Sequence, residues 1–501
     1  MRSLPLRDDL LSLSVRWEYT RLGRARVRGP AKRIGSNLSA PERDMSRKAL
    51  LAAAGFALFT ALPVLTPSDE VKAYPVPQVL RGPEMKGCYL PGSGSSGINV
   101  MNTGRSATNV RVDYYESSGT PVTVTNTILT GPGSGYLPTP GSFRGSAVVS
   151  SDSPVAAIVN VFGTGTVDGQ GSAYPCPAAY SSTGAIYPIN DGKQKFVIQN
   201  LTNSQTDVLI WYYSPTGQTE GPGPDSLDPR ETKQFSGKQV GADSSNVPGT
   251  GWPFNFTPSS FVAFNLLQQG SGKIPPLVLP GVDASAGDTE SYMPLPFTSD
   301  AVVYSTTWSV HNPGSSPQSV KVTYFRSDGQ PGPTITDTIP ALGQSRGSVE
   351  LSSGGPLVAI QNVSSGDTTI NATYTGFNQR GRAAPGSGAL AGTGASRLLT
   401  KRGYAFGAPS SKKSKVTAVL RNVGTKKAVV KLRVFDGDTG KKVQAGKATI
   451  AAGATATMPF KKRARGNNLY TEITIKGKGS VAAWLMRNFK GDVDFYAAVP
   501  R

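Results

Sequence analysis

Four stretches of this chain set apolar residues on one alternating template. They read INVMNTGRSATNVRVDYYESSG from Ile98, FVIQNLTNSQTDVLIWYYSPTG from Phe196, WSVHNPGSSPQSVKVTYFRSDG from Trp308 and AVLRNVGTKKAVVKLRVFDGDTG from Ala418. Each holds an asparagine: Asn102, Asn200, Asn312 and Asn422. Counted from it, positions +8, +10 and +12 are Val110, Val112, Tyr114; Val208, Ile210, Tyr212; Val320, Val322, Tyr324; and Val430, Leu432, Val434. The residues between them include Arg111, Asp113, Lys321, Lys431 and Arg433. Such period-two alternation predicts a strand with one face buried. Positions −4 and −2 behave alike, as Ile98 and Val100, Phe196 and Ile198, Trp308 and Val310, and Ala418 and Leu420. The template is therefore a strand, a short polar loop and a second strand.

Asparagine suits the strand exit because its side chain bonds nearby backbone and it tolerates left-handed φ. A glycine closes the second strand in each repeat, at Gly119, Gly217, Gly329 and Gly440. A later strand recurs at Val155–Ile158, Phe261–Phe264, Leu357–Ile360 and Val481–Trp484. Helical periodicity is absent beyond residue 73, and turn residues punctuate the apolar runs, so each repeat is expected to be an antiparallel β-sandwich. The repeats span 74–165, 185–273, 292–377 and 401–501. Pro/Gly/Ser-rich joints around 165–184, 274–291 and 378–400 read as linkers, the last of them flexible. Repeat 2 carries a long insertion, roughly Gly221 to Gly251, expected to form a surface loop. In repeat 4 strands are predicted at 416–421, 430–436, 443–450, 455–460, 469–475 and 480–487.

Strand, Asn-turn, a strand ending in paired aromatics and then polar-Gly resembles the immunoglobulin-like repeats of secreted bacterial envelope proteins. The resemblance covers most of 86–501 and lies at the level of architecture. It implies an all-β chain, a tandem array of four antiparallel immunoglobulin-like β-sandwich domains behind an N-terminal signal segment. It further implies a surface, matrix or adhesive role without catalysis, and carries over no functional residue.

The N-terminus reads as processing. Residues 1–44, with ten Lys/Arg against five Asp/Glu, form a basic unstructured extension or a stretch ahead of a true start at Met45. Residues 45–73 follow the layout of a signal peptide: Arg47 and Lys48, the apolar run Ala49–Leu65, then Val71-Lys72-Ala73 before the cut. The competing reading is a retained signal anchor with a basic tail. No later apolar stretch is long enough to span a bilayer, so the mature chain is expected to be secreted or held at a bacterial cell surface.

Composition narrows the chemistry. The two cysteines, Cys88 and Cys176, rule out a Cys-rich metal site, and the single histidine, His311, rules out multi-His centres and most His-based triads. No metal, cofactor or catalytic residue is assigned. His311 is expected to face outward from its strand, opposite to Trp308 and Val310. Cys88 and Cys176 bracket repeat 1, and in an exported chain an intramolecular disulfide is expected. Intermolecular pairing and free thiols are the alternatives.

Charge is the more informative signal. Residues 74–400 carry 17 basic and 20 acidic side chains, whereas 401–501 carry 22 and five, a net of +17. Counting alternate strand reversals places the segment 412–415 and the loops 437–442 and 461–468 at one end of repeat 4. The candidate anion-binding set is Lys412, Lys413, Lys415, Lys441, Lys442, Lys461, Lys462, Arg463 and Arg465, tempered by Asp436 and Asp438. The expected partner is an anionic cell-envelope polymer or acidic polysaccharide, with other envelope proteins as further partners and no specific nucleic acid. The function read from this is a non-enzymatic structural or adhesive envelope protein. One alternative is a carbohydrate-active enzyme or carbohydrate-binding protein with its site in the repeat 2 insertion. Another is an extracellular nucleic-acid binder.

Overall fold

The computed structural model describes residues 84–501, except 93–94, 141–142, 163–170, 178–184, 190–193, 214–218, 221–224, 237–248, 256–260, 269–276, 281, 284–286, 297–301, 351–356, 379–382, 392, 463 and 490–491. The proposed leader at 1–73, residues 221–224 and 237–248 of the repeat 2 insertion, and Arg463 thus lie outside the described residues. Among those described, the chain is almost wholly antiparallel β, with one 3-10 turn at Ala395–Arg397. No helix among them is long and apolar enough to cross a membrane.

Repeat 1 shows the plan. Its strands are β1 (Glu84–Pro91), β2 (Ser95–Asn102), β3 (Thr108–Tyr115), β4 (Pro121–Leu129), β5 (Gly133–Pro138), β6 (Arg144–Ser151), β7 (Val155–Phe162) and β8 (Gly171–Pro175). They form two four-stranded sheets, β1-β6-β3-β4 and β5-β2-β7-β8. Repeat 4 uses the same order, with 442–450, 428–436, 469–476 and 402–406 in one sheet and 455–459, 414–422, 481–489 and 492–497 in the other. The alternation explains why the sheets pair. All twelve template residues at +8, +10 and +12, and all eight at −4 and −2, are under 5% exposed. Burying about twenty such side chains, at roughly 1.5–3 kcal/mol each, is the main force holding the two faces together.

The asparagine is a staple. Asn102, Asn200, Asn312 and Asn422 are all fully buried. Each shares its two amide hydrogens among three backbone carbonyls. In repeat 4 these belong to Lys426 (2.8 Å), Ile450 (3.1 Å) and Ala451 (3.0 Å), while Oδ1 accepts the Gly424 N–H at 3.1 Å. The equivalent bonds recur in the other three repeats, to Ser106, Leu129 and Thr130, to Ser204, Leu227 and Asp228, and to Ser316, Ile339 and Pro340. One side chain thereby closes its own loop and ties it to the end of a third strand in the opposite sheet. Only an amide supplies donors and an acceptor together in that space.

The repeats are not beads on a string. Position −1 is buried in all four, as Met101, Gln199, His311 and Arg421, at 3% exposure or less. Met101 and Ile158 of repeat 1 join the core cluster of repeat 4. The Gln199 amide of repeat 2 donates to the Ala147 carbonyl of repeat 1, and Arg421 of repeat 4 lies 4.0 Å from the ring centroid of Phe325 in repeat 3. A sheet that packs its inner face on its own partner thus packs its outer face on a neighbouring repeat. The hairpin tip at +15 makes similar contacts in successive seams. The Ser117 carbonyl accepts from Thr232 N–H, the Ser327 carbonyl accepts from Thr455 N–H, and Gly437 lies so close to Ser134 that a Cβ there would collide with its hydroxyl. The last strands of the four repeats, 171–175, 277–280, 383–391 and 492–497, also pack one against the next, the fourth returning to the first.

Several expectations are corrected. His311 does not face outward but is 3% exposed, because the second face of its strand is covered as well. The joints are not plain linkers: each carries one of the last strands, and the stretch expected to be flexible holds the nine-residue strand Ala383–Ala391. Repeat 3 joins its two late strands into one, Leu357–Asn378. Leu357–Ile360 is therefore the counterpart of β6, and the partner of the strand at 302–311 is the stretch 369–378. The repeat 2 insertion is shorter than expected. Asp225–Leu227 and Thr232–Ser236 pair with template strands, with Leu227 standing at the same distance from Asn200 as Leu129 from Asn102.

Cys88 and Cys176 form a disulfide. Strand β8 folds back along β7 and brings Cys176 to β1, where both cysteines join the core of repeat 1.

Candidate functional site

The three basic segments of repeat 4 are drawn together by backbone pairing. Ser410 and Gly466 exchange two N–H···O bonds of 3.0 Å. Gly437 N–H donates to the Asn468 carbonyl at 2.7 Å, and the Asn468 amide donates to Asp438 at 2.7 Å. Lys461 N–H donates to the Gln444 side chain at 2.6 Å, and Gln444 donates back to the Pro459 carbonyl at 3.2 Å. Lys412, Lys413, Lys415, Lys441, Lys442, Lys461, Lys462 and Arg465 are all exposed around these contacts. Asp436 accepts the N–H groups of Asp438 and Thr439, which builds the turn from its own carboxylate. At the far end of the sandwich, Val423 bonds to Ser480, and Lys426, Lys427, Lys476 and Lys478 stand there.

This pole borders repeat 1. The Ser134 hydroxyl donates to the Asn468 Oδ1 at 2.6 Å, and Asn99 donates to the Asn467 carbonyl at 3.2 Å. These bonds anchor the loop backbone and leave the basic side chains in solvent.

Loop-by-loop reading missed the cations on the strands. In the sheet containing 428–436, Val430, Leu432 and Val434 point inward, so Lys431 and Arg433 point out. Lys447 stands directly opposite Lys431 on the next strand. The signal was present in the interleaved positions +9 and +11, but only the strand register adds Lys447, Lys476 and Arg402 to them.

The buried carboxylates do not converge on a shared site. Asp113 is held by Arg111 at 2.7 Å, Glu472 by Arg433 at 2.9 Å and Arg402 at 3.1 Å, and Asp494 by Arg487 at 2.5 Å. Burial raises the pKa of Asp494 and the adjacent Arg487 opposes that rise. His311 is pushed down to about 3 by desolvation, against a hydrogen bond to the Gly343 backbone. Among the described residues no group of three or more His, Cys, Asp or Glu side chains could hold a metal ion.

No family model matches the chain, and no curated protein matches it. Among solved structures, a calcium-binding mutant of Bacteroides uniformis beta-glucuronidase 2 is similar in part, at 12% identity and a TM-score of 0.12. The match covers 46% of this chain and 28% of that one.

Proposed function

We propose that this is a secreted, non-enzymatic structural or adhesive protein of a bacterial cell envelope. Its described part would be four immunoglobulin-like sandwiches, with the fourth holding an anionic surface polymer. The observation that carries the reading is the segregation of charge: a net of +17 over 401–501 beside repeats that are almost neutral. A domain of that size needs far less charge for solubility, and the imbalance raises the local concentration of anionic partners. The disulfide supports an oxidising compartment. The exposed basic loops at one pole hold anions by summed field, so binding weakens steeply with salt. The test is retention on an anionic polymer at ~0.15 M salt, where the screening length is about 8 Å. Replacing Lys461, Lys462, Arg463 and Arg465 with Ser is expected to lower it. A wild-type chain that is not retained on any polyanion would end this reading.

A further inference from the structure

One sheet of repeat 4 exposes part of its outer face, and that part is cationic. Paired residues on adjacent strands share a face of the sheet. The register sets Lys447 opposite Lys431, Lys431 opposite Thr474, and Thr474 opposite Arg402. This row crosses four strands, about 14 Å at the usual strand spacing. Arg433 stands two residues from Lys431 on the same strand, and Lys476 two residues from Thr474. The face holds five cations and one carboxylate, Glu472, which is already bound by Arg402 and Arg433. Lys431, Lys447 and Lys476 are exposed. The Lys431 ammonium has its pKa lowered chiefly by Lys476, then by desolvation, Lys447 and Arg433.

This arrangement works against folding. Like charges directly opposite each other on neighbouring strands destabilise a sheet. The corresponding face is built otherwise elsewhere. In repeat 1 the cation Arg111 is paired with Asp113, and Val122, Val124 and Ile128 are exposed beside it. In repeat 3 Lys321 stands between Thr336 and Val363, and Val363 is exposed. Repeat 4 alone among these has collected cations in register with no acid left to neutralise them.

We infer that this exposed face is the docking surface for a linear acidic polysaccharide lying across the strands along the Lys447–Lys431–Arg402 row. The inference rests on the proposal that repeat 4 binds an anionic polymer, and it moves the main contact from the loops to the sheet. A flat row of point charges matches a chain that carries its charges at intervals along its length. Single-stranded nucleic acid fits less well, because base stacking needs free aromatic faces. The aromatics near the row, Phe435 and Tyr470, stack on each other with centroids 5.0 Å apart. A membrane surface fits less well because no large apolar side chain is exposed among the cations.

The experiment uses the full chain and polygalacturonate as the probe, with duplex DNA and anionic lipid vesicles as competing arms. Three proteins are compared: wild type, a face variant (Lys431→Ser, Arg433→Ser, Lys447→Ser, Lys476→Ser) and a loop variant (Lys461→Ser, Lys462→Ser, Arg465→Ser). The face variant is expected to bind polygalacturonate at least tenfold more weakly at ~0.15 M salt, with a shallower dependence of log K on log salt, as follows from lost ionic contacts. The loop variant should lose less. Relief of repulsion should leave the thermal midpoint of a single Lys431→Ser variant equal to or above wild type, which separates lost binding from lost folding. Full binding by the face variant with loss in the loop variant would overturn the face assignment and leave the anionic-polymer reading standing. Absence of wild-type binding to polygalacturonate, DNA and vesicles alike would overturn both. Tighter binding to DNA or vesicles than to polygalacturonate would overturn the choice of partner.

Discussion

His311 gives the sharpest test of burial on the second strand face, because it is the chain's single histidine and every histidine signal belongs to it. An outward-facing ring would titrate near 6.5 and leave stability indifferent to mild acid. The buried ring is held down to about 3. Between those values the unfolded chain binds a proton that the folded chain refuses, so stability is fully present above pH 6.5 and is lost as pH falls toward 3. Each unit costs about 1.4 kcal/mol, and at pH 5 the loss is about 2 kcal/mol. Most carboxylates titrate below pH 5, so the interval from 7.5 to 5 isolates this group. The matching variant is His311→Gln, since Gln199 fills the same template position in repeat 2 at 2% exposure. Denaturant unfolding of both proteins at pH 7.5 and 5 should show the wild type losing about 2 kcal/mol more than the variant over that interval. The imidazole proton resonance should not move before the chain unfolds. A histidine that titrates near 6.5, or equal acid sensitivity in both proteins, would refute the burial of this position.

Other substitutions probe separate joints of the structure. Asn422→Ala should cost at least about 2 kcal/mol in denaturant unfolding, because it strands buried carbonyls, and Asn422→Asp should cost more by turning a carboxylate oxygen toward three carbonyls. Arg487→Met should destabilise by about 3–5 kcal/mol by leaving the buried Asp494 without its cation, while a second change, Asp494→Leu, should recover most of the loss. Replacing Cys88 and Cys176 with Ser should cost about 4–5 kcal/mol, given a separation of 88 residues in the chain-entropy treatment, read as a lowered denaturation midpoint.

How much of this was legible depends on the range of the contact. The template strands were visible because each buries one face on its own repeat, and a period of two records that fact locally. In repeat 4 all six predicted strands occur, starting and ending within two residues of expectation. The fate of position −1 was not visible. Met101, Gln199, His311 and Arg421 look like the polar-side positions of a half-buried strand, yet Met101, Gln199 and Arg421 meet a different repeat, with no periodicity to report it. The last strands were hidden for another reason. Gly, Ala, Ser and Pro are the residues of linkers and equally of strands that must approach closely, so Ala383–Ala391 could not be told from a tether. The strand cations needed register, which emerges only once partners are known.

The −1 position also bears on how one order of repeats is chosen. Four copies of a common template could in principle dock in several arrangements, because their hairpin tips and strand faces are alike. The seams differ where the template allows them to. Repeat 1 offers Met101 to an apolar cluster of repeat 4, repeat 2 offers the Gln199 amide to a backbone carbonyl, and repeat 4 lays Arg421 on Phe325. Exchanging these would bury a guanidinium in the Met101 cluster or leave the Ala147 carbonyl without the Gln199 donor. A buried polar group without a partner costs about 1–3 kcal/mol, and a buried charge more. Shared geometry therefore lets the repeats assemble, and the mismatch penalties select which neighbour each accepts. A chain with Met101→Arg should then unfold at lower denaturant than wild type. Paired with Arg421→Met it should still be less stable than wild type, because each residue is matched to its own seam. Recovery of full stability by that double swap would show that the seams do not discriminate.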